Sequence, residues 1–568
     1  MKRLIPLTLA VITAFLSSCS FFLGTPSGGA NADGPAVTRV PYSGNFTYDV
    51  DTGSTARDVF FVFSASADKT SYEQATVASL SVDGLRLPVP TAPKMPKEFG
   101  ANATAAQKIA DFNRTALSKS GAGLGIRALA FPGNVTSPRA YIAGSDTNDF
   151  YHPDTYIPNY DATCRKVVGP ITVASDSTPR TLIIWVSNVE WGTRITQPMV
   201  DALADRFLKT GDDNDIYDWL TKILGPEWGT TSYTNLIPHT GDVHILLTDI
   251  EGDASPNGGV VGFFYAVNNF TPGTYSDTNQ KIMFVIDSYM YANDTSNAGS
   301  WSADGFWPKE IFSTLAHEFQ HMIHFYQKAV VAGAGDSADV WIDEMCAQMA
   351  EDLLADKMGV PGPRGVDYTI GSSGPANNTE GRIPIYNQYS YLPLAVTDSG
   401  SFGLLDYSTA YAFGAWVARN YGGAAFLKNV VCSAYMDKEA VEKAAAAGGA
   451  TLADLDSLIQ RWAVSVMGSD RADMPVGYVY NTGDWKTSTV NGSTYKLGSI
   501  DFHKYLPYDA YSGTYGQTPG PMYLTSSGPT SNLSASSNVY YAAARSFAGK
   551  KSFEVSLPVG VTMTVVVR

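Results

Sequence analysis

The sequence predicts an α+β, multidomain protein. A large central domain, with a mixed sheet and a mostly helical second half, is flanked by an N-terminal and a C-terminal β domain. Three observations lead there. The chain has 568 residues, more than one hydrophobic core ordinarily supports. Its 44% hydrophobic and 12% aromatic content excludes a mainly disordered chain. The period of the apolar pattern also changes along the chain, from alternation, to alternation mixed with helical spacing, to helical spacing, and back to alternation. A formal charge of −15, with Lys+Arg 39 against Asp+Glu 54, excludes nucleic acid as a general partner, since neutralising phosphates needs clustered cations. Four Cys in this length do not make a disulfide scaffold.

The elements follow in order. Met1-Lys2-Arg3 is a basic start, followed by an apolar run Leu4 to Leu16 that is too short for a stable membrane anchor. Leu16-Ser17-Ser18-Cys19 resembles a bacterial lipobox, which implies a signal peptide over 1–18, a mature chain starting at a lipidated Cys19, and a membrane partner reached through that anchor. Ser20 after the Cys, rather than a retention-type Asp, favours the outer membrane or cell surface. Residues 19–36 are rich in Gly, Ala, Ser and Pro and read as a flexible tether. Asn45 to Val50 and Asp58 to Phe63 alternate as strands around an Asp51-Thr52-Gly53-Ser54 turn, giving an N-terminal β domain over 37–90. Residues 91–159 form a linker with one alanine-rich helix near 103–118.

The central domain spans 160–468. Arg180 to Val186, Val243 to Thr248 and Lys281 to Ile286 read as strands, with helical spacing over Gln197 to Thr210 and Ile216 to Leu224. Helices dominate from about residue 308 to Met467. Residues 469–568 are rich in Gly, Ser, Thr and Tyr and end in strong alternation from Lys551 to Arg568, which predicts a C-terminal β-sandwich-like domain. Of the remaining Cys, Cys346 reads as a small buried hydrophobe, and a Cys164–Cys432 disulfide is not expected.

The chemistry lies on one helix. Pro308 marks its start, and the run from Glu310 to Ala316 leads into His317-Glu318-Phe319-Gln320-His321. H-E-x-x-H projects two imidazoles from one helical face, suited to a single zinc, and places Glu318 to act on a water at the metal. With 7 His and 13 Glu in the chain, chance supplies roughly 0.002 such motifs. A third protein ligand is needed. His324 shares the face, but three His on one straight helix span too far for one ion, so it is expected to support a ligand by hydrogen bonding.

A second helix carries Trp341-Ile342-Asp343-Glu344 and continues through Gln348 to Glu351. The pair of helices resembles the gluzincin zinc metallopeptidases, with a thermolysin-like catalytic domain. Ser313 to Ile323 is similar, more narrowly, to the hyicolysin-type bacterial neutral metallopeptidases. The resemblance implies His317, His321 and Glu344 as ligands of one catalytic zinc and Glu318 as general base. Asp343 and Glu351 are the rival ligands. Thermolysin-like enzymes carry an acid four residues after the ligand Glu; this chain has Gln348, which can accept an imidazole N–H. The resemblance also implies an oxyanion-stabilising Tyr, for which Tyr411, three residues before Gly414, is the candidate.

Asp212-Asp213-Asn214-Asp215 offers calcium-type oxygens without EF-hand spacing, and reads first as an acidic turn with a helix cap. His239 and His244 read as structural. The function expected is thus that of a lipid-anchored cell-envelope zinc metalloendopeptidase acting on proteins or peptides. Two alternatives stay open: a surface binding lipoprotein with a vestigial protease core, and a zinc aminopeptidase.

Overall fold

The computed structural model describes residues 36–67 without 42, the pieces 76–77, 81–83, 85–86, 109 and 112–117, and residues 140–568 apart from 154–156, 258, 294–299, 366–380, 397–401, 476, 481–484 and 525–532. Cys19, the leader and the tether lie outside the described residues, as does most of the helix expected near 103–118, of which 112–117 are helical.

In chain order the strands of three or more residues are Ala36–Val40 (β1), Gly44–Asp51 (β2), Arg57–Ala65 (β3), Thr147–Phe150 (β4), Tyr160–Ile171 (β5), Arg180–Ser187 (β6), Asp242–Thr248 (β7), Gly262–Phe264 (β8), Met283–Asp287 (β9), Lys486–Val490 (β10), Ser493–Leu497 (β11), Asn538–Phe547 (β12), Lys550–Leu557 (β13) and Val561–Val567 (β14). The helices are Gln197–Phe207 (α1), Ile216–Leu224 (α2), Phe306–His324 (α3), Val340–Met358 (α4), Arg382–Tyr389 (α5), Leu404–Asn420 (α6), Ala424–Val431 (α7), Lys438–Ala447 (α8) and Leu455–Met467 (α9). The protein is mixed α+β, with several sheets.

The central sheet has six strands in the order β8-β9-β7-β6-β5-β4. Its three middle strands are parallel, and β8, β5 and β4 are antiparallel to their neighbours. The continuous apolar runs of β6 and β7 are explained by cover on both faces. Leu182, Ile184, Val186, Ile245 and Leu247 enter the main core with the helices. Ile183, Trp185, Leu246, Met283 and Val285 form a second cluster on the opposite face.

The termini differ from expectation. The N-terminal β domain expected over 37–90 and the C-terminal one expected over 469–568 are a single two-sheet unit. One sheet runs β1-β14-β3-β12, and the other places β13 between β2 and the short strand Ser81–Val82. Each terminal segment alone would leave unpaired strand edges, and such pairing at long range leaves no trace in a local apolar pattern. β3 also explains its own composition: Val59, Phe61 and Phe63 point into the sandwich core, while Phe60 and Val62 join the main core. Within the expected C-terminal domain, the β10–β11 hairpin is not part of the sandwich: its Tyr495 is fully buried in the main core and donates to Trp219 O on α2 at 2.7 Å. The central sheet also begins before residue 160, with β4 at Thr147.

Two glycines set how closely the key helices approach. A Cβ at Gly262 on β8 would stand 2.8 Å from Thr314 Cγ2 and 3.1 Å from Glu318 Cγ of α3. One at Gly414 on α6 would stand 2.8 Å from Met345 Cγ of α4. Phe319 of α3 is fixed from below by Phe207 and Tyr217, with ring centroids at 5.0 and 5.2 Å. Cys164, Cys346 and Cys432 are free thiols, as expected of Cys346 and of the unpaired Cys164 and Cys432.

Candidate metal centre

α3 runs from a Gly305 N-cap through Pro308 to His324 and continues into a π-helical turn over Phe325–Val331. Its face towards α4 carries His317 and His321, whose ring centroids are 4.8 Å apart. α4 presents Glu344, whose Oε2 lies 3.2 Å from His317 Nε2 and 3.5 Å from His321 Nε2. Ligand atoms of these three residues lie within 4.8 Å of one another, the one group of three or more such residues able to hold a metal ion among the described residues.

The remaining imidazole nitrogens are already engaged. His317 Nδ1 donates to Glu351 Oε1 at 2.8 Å, and the other oxygen of that carboxylate accepts from Ser313 Oγ at 2.5 Å. His321 Nδ1 donates to Asp343 Oδ1 at 3.0 Å, and the buried His324 donates from Nδ1 to the same oxygen at 2.5 Å. The imidazoles of His317 and His321 are therefore fixed in the tautomer that turns a bare Nε2 towards Glu344. Glu344 Oε2 is buried and accepts no hydrogen bond of good geometry. Two bare ring nitrogens converging on an orphaned carboxylate oxygen fit zinc's usual donor set, and they leave one coordination position for water or substrate.

The electrostatics point the same way. Four carboxylates, of Glu318, Asp343, Glu344 and Glu351, surround two imidazoles. Burial works against charge on His317, His321, Glu318, Asp343 and Glu344. Even so, Glu344 is held down at about 2 by His321 and His317, and His317 is pushed up to about 9 by Glu344 and Glu351. This is the field of a site that needs a cation. Glu318 differs: burial raises its carboxyl above the ordinary range, against the pull of His317 and His321, and its carboxylate accepts the Phe264 N–H of the edge strand β8.

The structure thus brings His317, Glu318, His321 and Glu344 together. It assigns the rivals Asp343 and Glu351 to the imidazole Nδ1 atoms and places His324 on Asp343. Gln348 touches no imidazole; it donates to Tyr407 O at 2.9 Å and accepts from Arg382 Nε at 3.2 Å. Tyr411 is likewise away from the cluster. Its side chain is fully buried, its hydroxyl lacks a hydrogen-bond partner, and its charged neighbours are Asp352, Arg419 and Arg364. The tyrosine at the cluster is Tyr407, one turn earlier, hydrogen-bonded to Glu344 and close to Glu318. Residues four apart share a helical face, so spacing selects the face and leaves the depth open. Tyr407 and Arg382 were not found as site residues from sequence; Glu351, named there as a rival ligand, holds the Nδ1 of His317 instead, and the usable signal for its place on this face was its seven-residue spacing from Glu344.

Asp212, Asp213 and Asp215 of the acidic turn have partners within the protein. Asp212 pairs with Lys222 at 2.8 Å and Asp213 with Lys357 at 3.2 Å, while Asp215 caps α2 by accepting the Asp218 N–H. His239 pairs with Asp176 at 3.0 Å, and His244 accepts from Trp185 Nε1 at 3.1 Å.

A sequence model of the peptidase M30 family matches residues 161–568. The neutral metalloprotease ShpI of Staphylococcus hyicus is 30% identical over 142 residues, which are 25% of this chain and 30% of that protein. The chain therefore matches less than a third of that relative's length. An M1 zinc metallopeptidase from Deinococcus radiodurans aligns over 78% of this chain and 96% of its own, at 11% identity and a TM-score of 0.26. A point variant of that enzyme aligns over 76% and 92%, at 12% identity and the same TM-score. That score is too low to support a statement about fold.

Proposed function

The chain belongs to the peptidase M30 family, a family of zinc metallopeptidases, and from that premise we propose that it is a cell-envelope metalloendopeptidase of gluzincin, thermolysin-like arrangement, with His317, His321 and Glu344 as zinc ligands and Glu318 as general base. The observation that carries this reading is the convergence of the two Nε2 atoms on Glu344 Oε2, with the buried Glu318 beside them. Zinc, when bound, supplies Lewis-acid polarisation of a carbonyl and a lowered pKa for water.

The chain's own residues do the rest. Glu318, its proton affinity raised by burial, takes a proton from the attacking water at a carboxylate oxygen and later delivers it to the leaving amine. Asp343 and Glu351 keep the imidazoles turned towards the metal. Tyr407 O–H, hydrogen-bonded to Glu344, is suited to stabilise the oxyanion that forms on the carbonyl. β8 lies at the edge of the central sheet, next to Glu318, where an extended peptide can add as a further strand; this supports cleavage within chains.

The decisive experiment is Glu318→Gln in the chain starting after the leader. It is expected to bind one equivalent of zinc and to lose caseinolytic activity by at least about a thousandfold. Full activity with metal retained removes Glu318 from the base role, and activity that survives phenanthroline removes zinc altogether. Lipidation is tested separately. Labelled palmitate is expected to enter the full chain and not its Cys19→Ser variant. No helix among the described residues is long and apolar enough to cross a membrane, so in this reading the envelope location rests on Cys19.

A further inference from the structure

A positive charge stands beside the metal cluster, and no acid among the described residues pairs with it. Arg382 is the first residue of α5. Its Nε donates to Gln348 Oε1 at 3.2 Å, and its guanidinium carbon lies 5.6 Å from the centre of the Tyr407 ring. The Tyr407 ring also meets Phe402, with ring centroids 5.0 Å apart, and His317, at 6.4 Å. Two of the arginines buried in the core are neutralised: Arg180 meets Glu227 at 2.7 Å and Arg419 meets Asp352 at 2.7 Å. Arg382, half-buried, makes no ion pair among the described residues, and Gln348 is the one hydrogen-bond partner of its guanidinium among them. Gln348, anchored by donation to the Tyr407 carbonyl, offers it a neutral amide oxygen.

A guanidinium held through Nε and lying over a ring keeps its two Nη groups as a rigid fork. That fork matches a carboxylate through two parallel hydrogen bonds. Partial burial strengthens the attraction over its value in water.

We propose that Arg382 is a specificity-determining residue that binds a substrate carboxylate, so that the enzyme prefers peptides carrying one within about three residues of the cleaved bond, the reach set by ~3.3 Å per extended residue. The inference rests on the metallopeptidase reading and adds a substrate class to it. An Asp or Glu side chain and a free C-terminus present the same chemistry, and the test separates them.

Zinc-loaded enzyme is offered quenched fluorogenic peptides of one sequence, with Glu or Gln in turn at each of three positions on either side of the bond, and with free or amidated C-termini. The expected result is a kcat/KM at least about tenfold higher for Glu over Gln at one position, or for free over amidated ends. The arm that responds identifies the source. The ratio should fall to near one in Arg382→Gln and shrink with added salt. Arg382→Glu should invert the side-chain preference towards Lys, or that for free over amidated ends, an outcome that a partly unfolded enzyme cannot produce. A wild-type ratio near one in every arm overturns the proposal, as does a ratio that Arg382→Gln leaves unchanged. Absence of cleavage of every peptide by the wild type is a different failure: it removes the peptidase reading, and this proposal with it.

Discussion

Glu344 and Glu351 are seven residues apart, so two turns of α4 return them to one face with only ~20° of drift. Glu344 meets the imidazole Nε2 atoms, and Glu351 meets the Nδ1 of His317. Glu351→Gln is therefore expected to weaken zinc binding by about 10- to 100-fold, read by competition with a chromophoric chelator. Gln348→Ala should change zinc affinity by less than about threefold, because Gln348 touches Tyr407 and Arg382 instead. Equal losses in the two variants would contradict this division of labour. The H-E-x-x-H group was legible in the sequence because a single helical turn sets its geometry. The partners of its Nδ1 atoms were not, since they depend on how α3 and α4 are rotated against each other. Tyr411 shows the same limit: its face was right, and its depth along α6 was not.

Among the elements, β8 and α3 meet with no room to spare. The missing Cβ of Gly262 would also stand 3.0 Å from Val285 O, so neither neighbour can yield without moving the sheet edge or the metal helix. Gly262→Ala is expected to cost about 1–3 kcal/mol of stability in denaturant titration, together with loss of activity as Glu318 is displaced. Beyond α3, Lys328 ties the π-helical turn to the end of α7. Its buried Nζ donates to Val430 O at 2.8 Å, Ser433 O at 3.0 Å and Tyr435 O at 2.6 Å. Burial pushes its ammonium down from 10.5 to about 8. Between those values the unfolded chain binds the proton that the folded protein has released, so the contribution of Lys328 to stability grows as pH rises through the window. The wild type should therefore gain on Lys328→Met between about pH 8 and about pH 10.5. A constant difference would show that the folded-state pKa is ordinary. The strands and helices of the central domain were legible from apolar period, and the π-helical turn was not, because its residues carry the same apolar spacing as α3.

At the level of the whole molecule, the terminal β segments were read correctly as strands and wrongly as two domains. The apolar character of β3 on both faces was the available sign that it lies within a larger sheet. Deletion of the residues before 91 should remove the strand that separates β14 from β12 and expose Phe60 and Val62's partners in the main core. Such a chain is expected to be insoluble, or to melt at least about 10 °C lower in a calorimetric scan. Unchanged melting would show that the sandwich is dispensable. Zinc removal by phenanthroline should lower the melting temperature of the intact chain as well, because a ligand held by the folded state alone stabilises it. The placement of β3 has a further consequence, one of timing. Ser64 bonds to Asn538, 474 residues later in the chain. At ~5–20 residues per second of synthesis, β3 waits roughly half a minute to a minute and a half for its first neighbour. During that interval an aromatic strand has two open edges, so the newly made chain is expected to be most prone to aggregate before β12 and β14 are synthesised.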